Sequence, residues 1–240
     1  RPGARPRRED RFRVIPRPDN PLIVALDVSD LDAAGALAER LHGEAGVLKV
    51  GLELFAARGP EAVTRLRAFG PIFLDIKLHD IPNTVEGAAR NCARLGIAMM
   101  TVHALGGEAM VRAAVRGATR GADDAGHAAP MVLAVTVLSS LAGEGLASPS
   151  SLAFEAVAAG ASGVVVSGED VAQVHEVLGP DACLVVPGIR PAGSNGHDQV
   201  RILTPEEAVE RGADYLVVGR PITESPDPAG VARAIVATVR

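Results

Sequence analysis

The chain has 240 residues, of which 48% are hydrophobic, 22% are charged and 2% are aromatic, and its formal net charge is −5. This length suffices for one large domain with a full core, and the high apolar fraction excludes a mainly disordered chain. The weak negative charge and the scarcity of aromatic rings argue against nucleic acid as a partner.

The first 20 residues are rich in Arg and Pro, which predicts a flexible N-terminal arm ahead of a domain at 21–240. No apolar run approaches the roughly 18 residues that a membrane span requires, and no apolar segment follows the basic residues of the arm. The two cysteines, Cys92 and Cys183, have neither zinc-site nor disulfide spacing. We therefore expect a cytoplasmic protein without membrane association.

From residue 21 onward, apolar runs alternate with amphipathic helical patterns. Strands are predicted at 22–27, 47–54, 71–78, 98–104, 131–138, 163–167, 183–188 and 215–219. Helices are predicted at 32–41, 60–69, 83–95, 107–119, 150–159, 169–178, 205–211 and 228–239. Eight apolar strands, each followed by a helix, predict a single closed (β/α)₈ TIM barrel. An open doubly wound sheet is the alternative, but no G-x-G-x-x-G follows the first strand.

The third predicted strand carries charges inside an apolar run. Side chains alternate along a strand, so Asp75 and Lys77 are expected on the same face, and buried charge is costly unless it is paired. This pattern indicates either a functional site or an ion pair that merely closes the strand. Asn83 is predicted to cap the next helix with Glu86 three residues on, which leaves Asp80 in a loop at the barrel mouth.

Polar residues also end other predicted strands, and in a barrel such residues converge on one pocket. They are Asp27, Lys49, His103, Thr136, Ser139 and Arg220. Gly219 and Arg220 follow the eighth strand, where barrels of this class commonly bind phosphate, so we predict a phosphate site there. For Arg190 and Arg201, exposed loop positions are favoured over a direct role.

Five stretches carry a family resemblance that extends over nearly all of residues 22–240. They are KVGLELF at 49–55, FLDIKLHDIPNT at 73–84, VHA at 102–104, PGIRP at 187–191 and VGRPI at 218–222. Together they resemble the orotidine 5′-phosphate decarboxylase family, in particular its bacterial members, and the second stretch is the most specific. The Arg- and Pro-rich arm departs from the family pattern.

The resemblance implies decarboxylation of orotidine 5′-phosphate to UMP and CO₂, without a metal or another cofactor, in a homodimer with shared active sites. It implies catalytic roles for Lys77, Asp75, Asp80 and Lys49. It implies substrate contacts by Asp27, Lys49, Ile81, Thr84, Ser139, Pro187, Gln199, Gly219 and Arg220. Among these, Asp80, Ile81 and Thr84 would reach into the site of the neighbouring subunit.

Loss of CO₂ from the pyrimidine ring would leave an electron pair in an orbital that the ring cannot delocalise. A lysine ammonium at Lys77 could stabilise this charge and then donate a proton to the same carbon. Sugar-phosphate decarboxylases, aldolases and epimerases on related barrels are rival enzyme classes, and a non-catalytic sugar-phosphate binding protein is the alternative outside enzymes. For His103, support of the site and simple packing both stay open.

Overall fold

Eight parallel strands close into a barrel in a computed structural model, which describes residues 18–137, 148–191 and 203–239. The strands pair in chain order, and β8 pairs with β1 to complete the ring. They are β1 (Leu22–Ala25), β2 (Val47–Gly51), β3 (Ile72–Leu78), β4 (Met99–His103), β5 (Met131–Val135), β6 (Gly163–Val165), β7 (Cys183–Pro187) and β8 (Tyr215–Val218). The predicted (β/α)₈ barrel is thereby confirmed.

Helices cover the outside of the ring. They are α1 (Leu31–Arg40), α2 (Leu52–Arg58), α3 (Pro60–Leu66), α4 (Pro82–Ala93), α5 (Gly107–Ala125), α6 (Pro149–Ala158), α7 (Val171–Leu178), α8 (Pro205–Glu210), α9 (Arg220–Thr223) and α10 (Pro228–Thr238). A single 3₁₀ turn, Ala104–Gly106, precedes α5. Within the described ranges, no helix is both long and apolar enough to cross a membrane.

The apolar side chains form two layers, as expected for strands that are buried on both faces. One layer lies between the strands and the helices and contains most of the buried residues. The other fills the barrel interior with side chains from alternate strand positions: Ile23, Ala25, Val47, Phe73, Met99, Leu133, Cys183, Val185 and Val217. Side chains that follow these on the same strand faces therefore point into the mouth of the barrel.

Several predicted element boundaries differ from the structure; for example, the helix predicted at 107–119 continues to Ala125, and two other differences lie beside the barrel mouth. The second strand ends at Gly51 rather than at residue 54, because α2 begins directly at Leu52. Helix α4 begins at Pro82, and its N-cap is Ile81, which makes no side-chain capping bond. Proline at the first helical position has no amide hydrogen that needs a partner, so the predicted cap at Asn83 is not required.

Helix α4 packs unusually close to α5 because two glycines of α5 lie against its backbone. A Cβ atom on Gly117 would overlap the carbonyl oxygen of Glu86, and one on Gly121 would overlap that of Arg90. Backbone atoms cannot move aside as a flexible side chain can. The two glycines therefore set the separation of α4 and α5.

We predict that Gly117→Ala lowers the free energy of unfolding by about 1–3 kcal/mol, although alanine has the higher helix propensity, because the added methyl group forces the helices apart. Gly87→Ala on the exposed side of α4 is the matched control, since a Cβ there meets nothing within 4 Å. This control should be neutral or more stable by up to about 1 kcal/mol. Denaturant unfolding measures both variants, and equal stabilities would contradict the close-packing explanation.

Candidate active site

A cavity of about 360 Å³ opens at the carboxyl ends of the strands. Most sequence-predicted site residues in the described part of the chain line it: Asp27, Lys49, Asp75, Lys77, Pro187, Gly219 and Arg220. Ser139 and Gln199 lie outside the described residues, as do residues 1–17 of the predicted arm. Residues far apart in the sequence are thus brought together at one end of the barrel, as expected for this fold.

Four charged side chains alternate in sign across one wall of the cavity. Lys49 Nζ lies 2.8 Å from Asp27 Oδ1 and 3.6 Å from Asp75 Oδ2. Lys77 Nζ donates to both carboxylate oxygens of Asp75, at 2.9 Å each. We call Asp27, Lys49, Asp75 and Lys77 the charged row. Each inner member has opposite charges on both sides, which offsets the cost of removing it from water.

The two ends of the charged row are open to solvent while its centre is buried. Side-chain exposure is 57% for Asp27 and 36% for Lys77, but 9% for Lys49 and 14% for Asp75. Burial by itself raises the pKa of Asp75, but the charges of Lys49 and Lys77 and hydrogen bonds from Lys77 and Thr101 outweigh it. The pKa of Asp75 is therefore held below its usual value, and the carboxylate is ionised at neutral pH.

Gly51 leaves space for the first half of the row. It follows Lys49 by two positions on β2, so both residues share the inward face. A Cβ atom at Gly51 would lie 2.7 Å from Asp27 Oδ1 and 3.1 Å from Lys49 Nζ. A side chain at this position would therefore separate the pair.

Strand β3 does not run straight through the site. Leu74 pairs with Met100, but the next pair is Leu78 with Val102. Between these two pairs β3 advances by four residues, whereas β4 advances by two. Within this bulge Lys77 has φ of 50°, a left-handed conformation that costs a non-glycine residue about 1–2 kcal/mol. The predicted meeting of Asp75 and Lys77 is present, but a bulge rather than plain strand alternation produces it.

Thr101 on β4 was not singled out from the sequence. Its hydroxyl accepts a hydrogen bond from the Lys77 amide and donates one to Asp75 Oδ1, both at 2.9 Å. The residue is fully buried. The available signal was a polar residue with apolar neighbours on both sides in the strand Met99–His103, since a buried hydroxyl requires a partner.

Cationic groups from the segments after β7 and β8 contribute a second wall of the cavity. Arg190 and Arg220 both line the cavity, next to Gly188 and Gly219. The expectation that Arg190 is an exposed loop cation is wrong, because only 7% of it is accessible. A buried guanidinium beside close backbone turns suits an anionic group such as phosphate.

The segment after β3, through the first turn of α4, does not line the cavity. Asp80, Ile81 and Thr84 are all exposed, and none of them lines the cavity. Asp80 Oδ1 accepts a hydrogen bond from the Ile81 amide at 2.6 Å. Within one chain, these three predicted site residues are therefore separate from the charged row.

His79 and His103 lie beside the site rather than in it. Their ring centroids are 5.3 Å apart, with the planes tilted by 35°. Burial, together with the nearby positive groups of His79 and Lys77, lowers the pKa of His103, and its Nδ1 has no hydrogen-bond partner among the described residues. A mainly neutral ring that is not part of the cavity lining favours a packing role for His103.

Lysine is restricted to this site. Of the 24 basic residues in the whole sequence only Lys49 and Lys77 are lysines, and both belong to the charged row. Arginine keeps its proton at any physiological pH, whereas lysine can lose and regain one.

In residues 18–137, 148–191 and 203–239, no group of three or more His, Cys, Asp or Glu residues could hold a metal ion.

Comparison with known proteins identifies the family. The model of the orotidine 5′-phosphate decarboxylase / HUMPS family matches residues 20–235. Orotidine 5′-phosphate decarboxylase of Anaeromyxobacter dehalogenans is 53% identical over 232 residues, covering 92% of this chain and 99% of the relative. The Moorella thermoacetica enzyme of the same name is 47% identical over 230 residues, covering 91% of each chain.

A solved structure agrees with this assignment. The crystal structure of orotidine 5′-phosphate decarboxylase from Lactobacillus acidophilus matches with a TM-score of 0.81 at 39% identity, covering 92% of this chain and all of that one. The residues that match the family model include all eight barrel strands and all four members of the charged row. The chain therefore belongs to the orotidine 5′-phosphate decarboxylase / HUMPS family.

Proposed function

We propose that the protein decarboxylates orotidine 5′-phosphate to UMP and CO₂, the last step of de novo pyrimidine nucleotide biosynthesis. The observation that carries the proposal is the charged row, in which an ammonium group touches a buried carboxylate at the mouth of the barrel. Relatives named for this activity are about half identical over nearly the whole chain, which supports the same substrate.

Lys77 is the group that acts on the reacting carbon in this proposal. When the bond from ring carbon C6 to the carboxylate breaks, CO₂ leaves and the electron pair stays on C6. The Lys77 ammonium stabilises this charge and then transfers a proton from Nζ to C6, which gives UMP and a neutral amine that solvent reprotonates. The 36% exposure of its side chain leaves this end of the row accessible from the cavity.

Asp75 and Lys49 orient the donor. Asp75 holds the Lys77 ammonium by two hydrogen bonds, and Lys49 contacts Asp75 from the other side. Because contacts within the protein hold these groups in place, they need little reorganisation when charge develops on the ring. Proximity of the substrate carboxylate to Asp75 would raise the energy of the bound substrate. In our proposal, stabilisation of the carbanion contributes more to catalysis than this repulsion does.

Substrate binding uses both walls of the cavity. Asp27 is the exposed end of the charged row and, with Lys49, binds the ribose hydroxyls. Arg220 and Gly219 hold the phosphate next to Pro187, and the buried Arg190 adds a second positive group on that wall. Ser139 and Gln199 are proposed to contact the pyrimidine and close over the phosphate. Binding energy from the distant phosphate can then support the chemical step.

We also propose that two chains form a homodimer with shared active sites. Leu52, Ile81 and Leu105 follow β2, β3 and β4 at the same end of the barrel, and their exposures are 62%, 66% and 41%. Large apolar side chains grouped around one rim favour contact with a second copy. In that dimer Asp80, Ile81 and Thr84 would extend from this rim to the cavity of the partner.

The first prediction from the proposed function concerns Lys77. Metal-stripped protein should consume orotidine 5′-phosphate, which is measured as the loss of the substrate's ultraviolet absorbance. Lys77→Ala should lower kcat by at least about 1,000-fold, because the stabilising charge and the proton donor are both lost. Lys77→Arg should also be severely impaired, since guanidinium keeps charge but holds its proton too tightly to donate it.

Two controls define the outcome. Both variants should still bind UMP, and Arg65→Ala, which removes an exposed cation paired with Asp32 on the outer helices, should keep wild-type turnover. Near-normal turnover by Lys77→Ala would contradict the assignment of the proton donor. Tight UMP binding by the unmodified protein without any turnover would instead support the binding-protein alternative.

A second prediction tests the shared sites. Inactive Lys77→Ala and Asp80→Ala proteins, mixed and allowed to exchange subunits, should recover about a quarter of wild-type activity, because each heterodimer has one site without a lesion. Lys77→Ala mixed with Asp75→Ala is the matched control, since both lesions stay in the row of their own chain and every site is damaged. Absence of recovery in the first mixture, with exchange verified by mass, would argue against sharing.

A further inference from the structure

We infer that Thr101 is a positioning residue for catalysis, whose single hydroxyl fixes the Asp75 carboxylate and the Lys77 backbone relative to each other. The inference rests on the proposed function, because it assigns Thr101 to the same charged row. It does not make Thr101 a group that touches the substrate, since the residue is fully buried and is not part of the cavity lining.

The bulge in β3 creates the need for this residue. In a regular parallel pair, the amide of Lys77 would bond a carbonyl oxygen of the neighbouring strand. The register shift between Leu74 and Leu78 removes that arrangement, and Lys77 takes a left-handed conformation. The Thr101 hydroxyl, opposite the bulge on β4, accepts the Lys77 amide hydrogen at 2.9 Å. A side chain thus replaces a missing bond of the sheet.

The same oxygen also directs the carboxylate. It donates to Asp75 Oδ1 at 2.9 Å, and a hydroxyl has one hydrogen to donate and two lone pairs to accept with. With the amide as donor on one side, the hydroxyl hydrogen is committed to Asp75. The carboxylate is then oriented so that its other oxygen, Oδ2, faces Lys77 Nζ and Lys49 Nζ.

Loss of the hydroxyl would release two constraints together. The Lys77 amide would lose its partner, which favours relaxation of the left-handed backbone, and Asp75 would lose a donor that orients it. A shift of about 1 Å in the donor is enough to lower turnover about 100-fold even when binding is retained. The expected signature is therefore a defect in kcat rather than in KM.

The ionisation of Asp75 gives a second signature. Charged and titratable groups around it come from three strands: Lys49 on β2 with Asp27 behind it, Lys77 on β3, and His103 at the end of β4 with His79 against it. None of these groups is removed from the protein when only the hydroxyl is lost. Because the Thr101 hydrogen bond favours the ionised carboxylate, its removal should raise the pKa of Asp75 and shift the acidic limb of the kcat profile to higher pH.

The test compares Thr101→Val, which keeps the shape of the side chain, with Thr101→Ser, which keeps the hydroxyl. We expect Thr101→Val to lower kcat about 10- to 100-fold with KM changed less than about threefold, and Thr101→Ser to restore most of kcat. Thr136 follows β5, where the sequence predicts a site residue, but it is buried and does not line the cavity. Among the described residues its hydroxyl donates to the Val165 carbonyl oxygen, which also accepts the Thr136 amide hydrogen. Thr136→Val is therefore the matched control. It should leave kcat near that of the wild type.

Thermal unfolding and UMP binding identify variants that fold. If Thr101→Val does not fold, Thr101→Ser and Thr101→Cys give the same comparison, because they are similar in size and the thiol is the weaker hydrogen-bond donor. Wild-type kcat in folded Thr101→Val, equal losses in Thr101→Val and Thr136→Val, or equal kcat in the Ser and Cys variants would each overturn the inference.

A readout without turnover separates this inference from the proposed function. Titration of the Asp75 carboxyl by carbon NMR should show a higher pKa in Thr101→Val than in the wild type, whether or not orotidine 5′-phosphate is a substrate. An unchanged titration would overturn the role of Thr101. Absence of decarboxylation by the unmodified protein, with the carboxyl titration shifted as expected, would count against the proposed function alone.

Discussion

Mutual neutralisation of closely spaced charges is the interaction on which the mouth of this barrel depends. Lys49 and Asp75 are almost fully buried, and either of them alone would be too costly to hold away from water. Together with Asp27 and Lys77 they form an alternating set in which every inner charge has two opposite neighbours. The barrel supplies this arrangement because β1, β2 and β3 are neighbours in the ring and their carboxyl ends open at the same mouth.

The larger architecture was predictable because it follows from repeated local patterns. Continuous apolar strands followed by amphipathic helices indicate a parallel sheet, and eight repeats indicate closure. Convergence of Asp27, Lys49 and Asp75 follows from closure, since strand ends of a barrel meet at one mouth. The contact of Lys77 with Asp75 depends on the bulge in β3 as well. The extent of the family resemblance then narrowed the prediction to one family, and the family match confirms that membership.

Details that depend on register were not predictable in this way. The bulge in β3 changes which β4 residue lies beside Lys77, and no local pattern in the sequence encodes a two-residue shift between strands. Thr101 therefore looked like one polar residue in an apolar strand. Local polarity also misled two other predictions. Helix α4 starts at a proline rather than after a polar cap, and Arg190 is buried by the packing of its own loop.

Support for the rim comes from the outer helices. The glycines of α5 bring that helix against the backbone of α4, and α4 begins one residue after Ile81. Glu86 on α4 also pairs with Arg116 and Arg120 on α5, which fastens the two helices from the outside. The loop that carries Asp80 is therefore held by a closely packed helix pair, which suits the role we propose for this segment in the site of a second chain.

The distribution of lysine has a practical consequence. Arginine supplies every other basic side chain, so a protease that cuts only after lysine has two cleavage points in the whole sequence, both within strands at the mouth. Backbone paired in a barrel strand cannot enter a protease cleft without local opening. The rate of such cleavage would report how often β2 and β3 open locally. The decrease in this rate when a nucleotide is bound would measure how strongly occupancy of the pocket suppresses that opening.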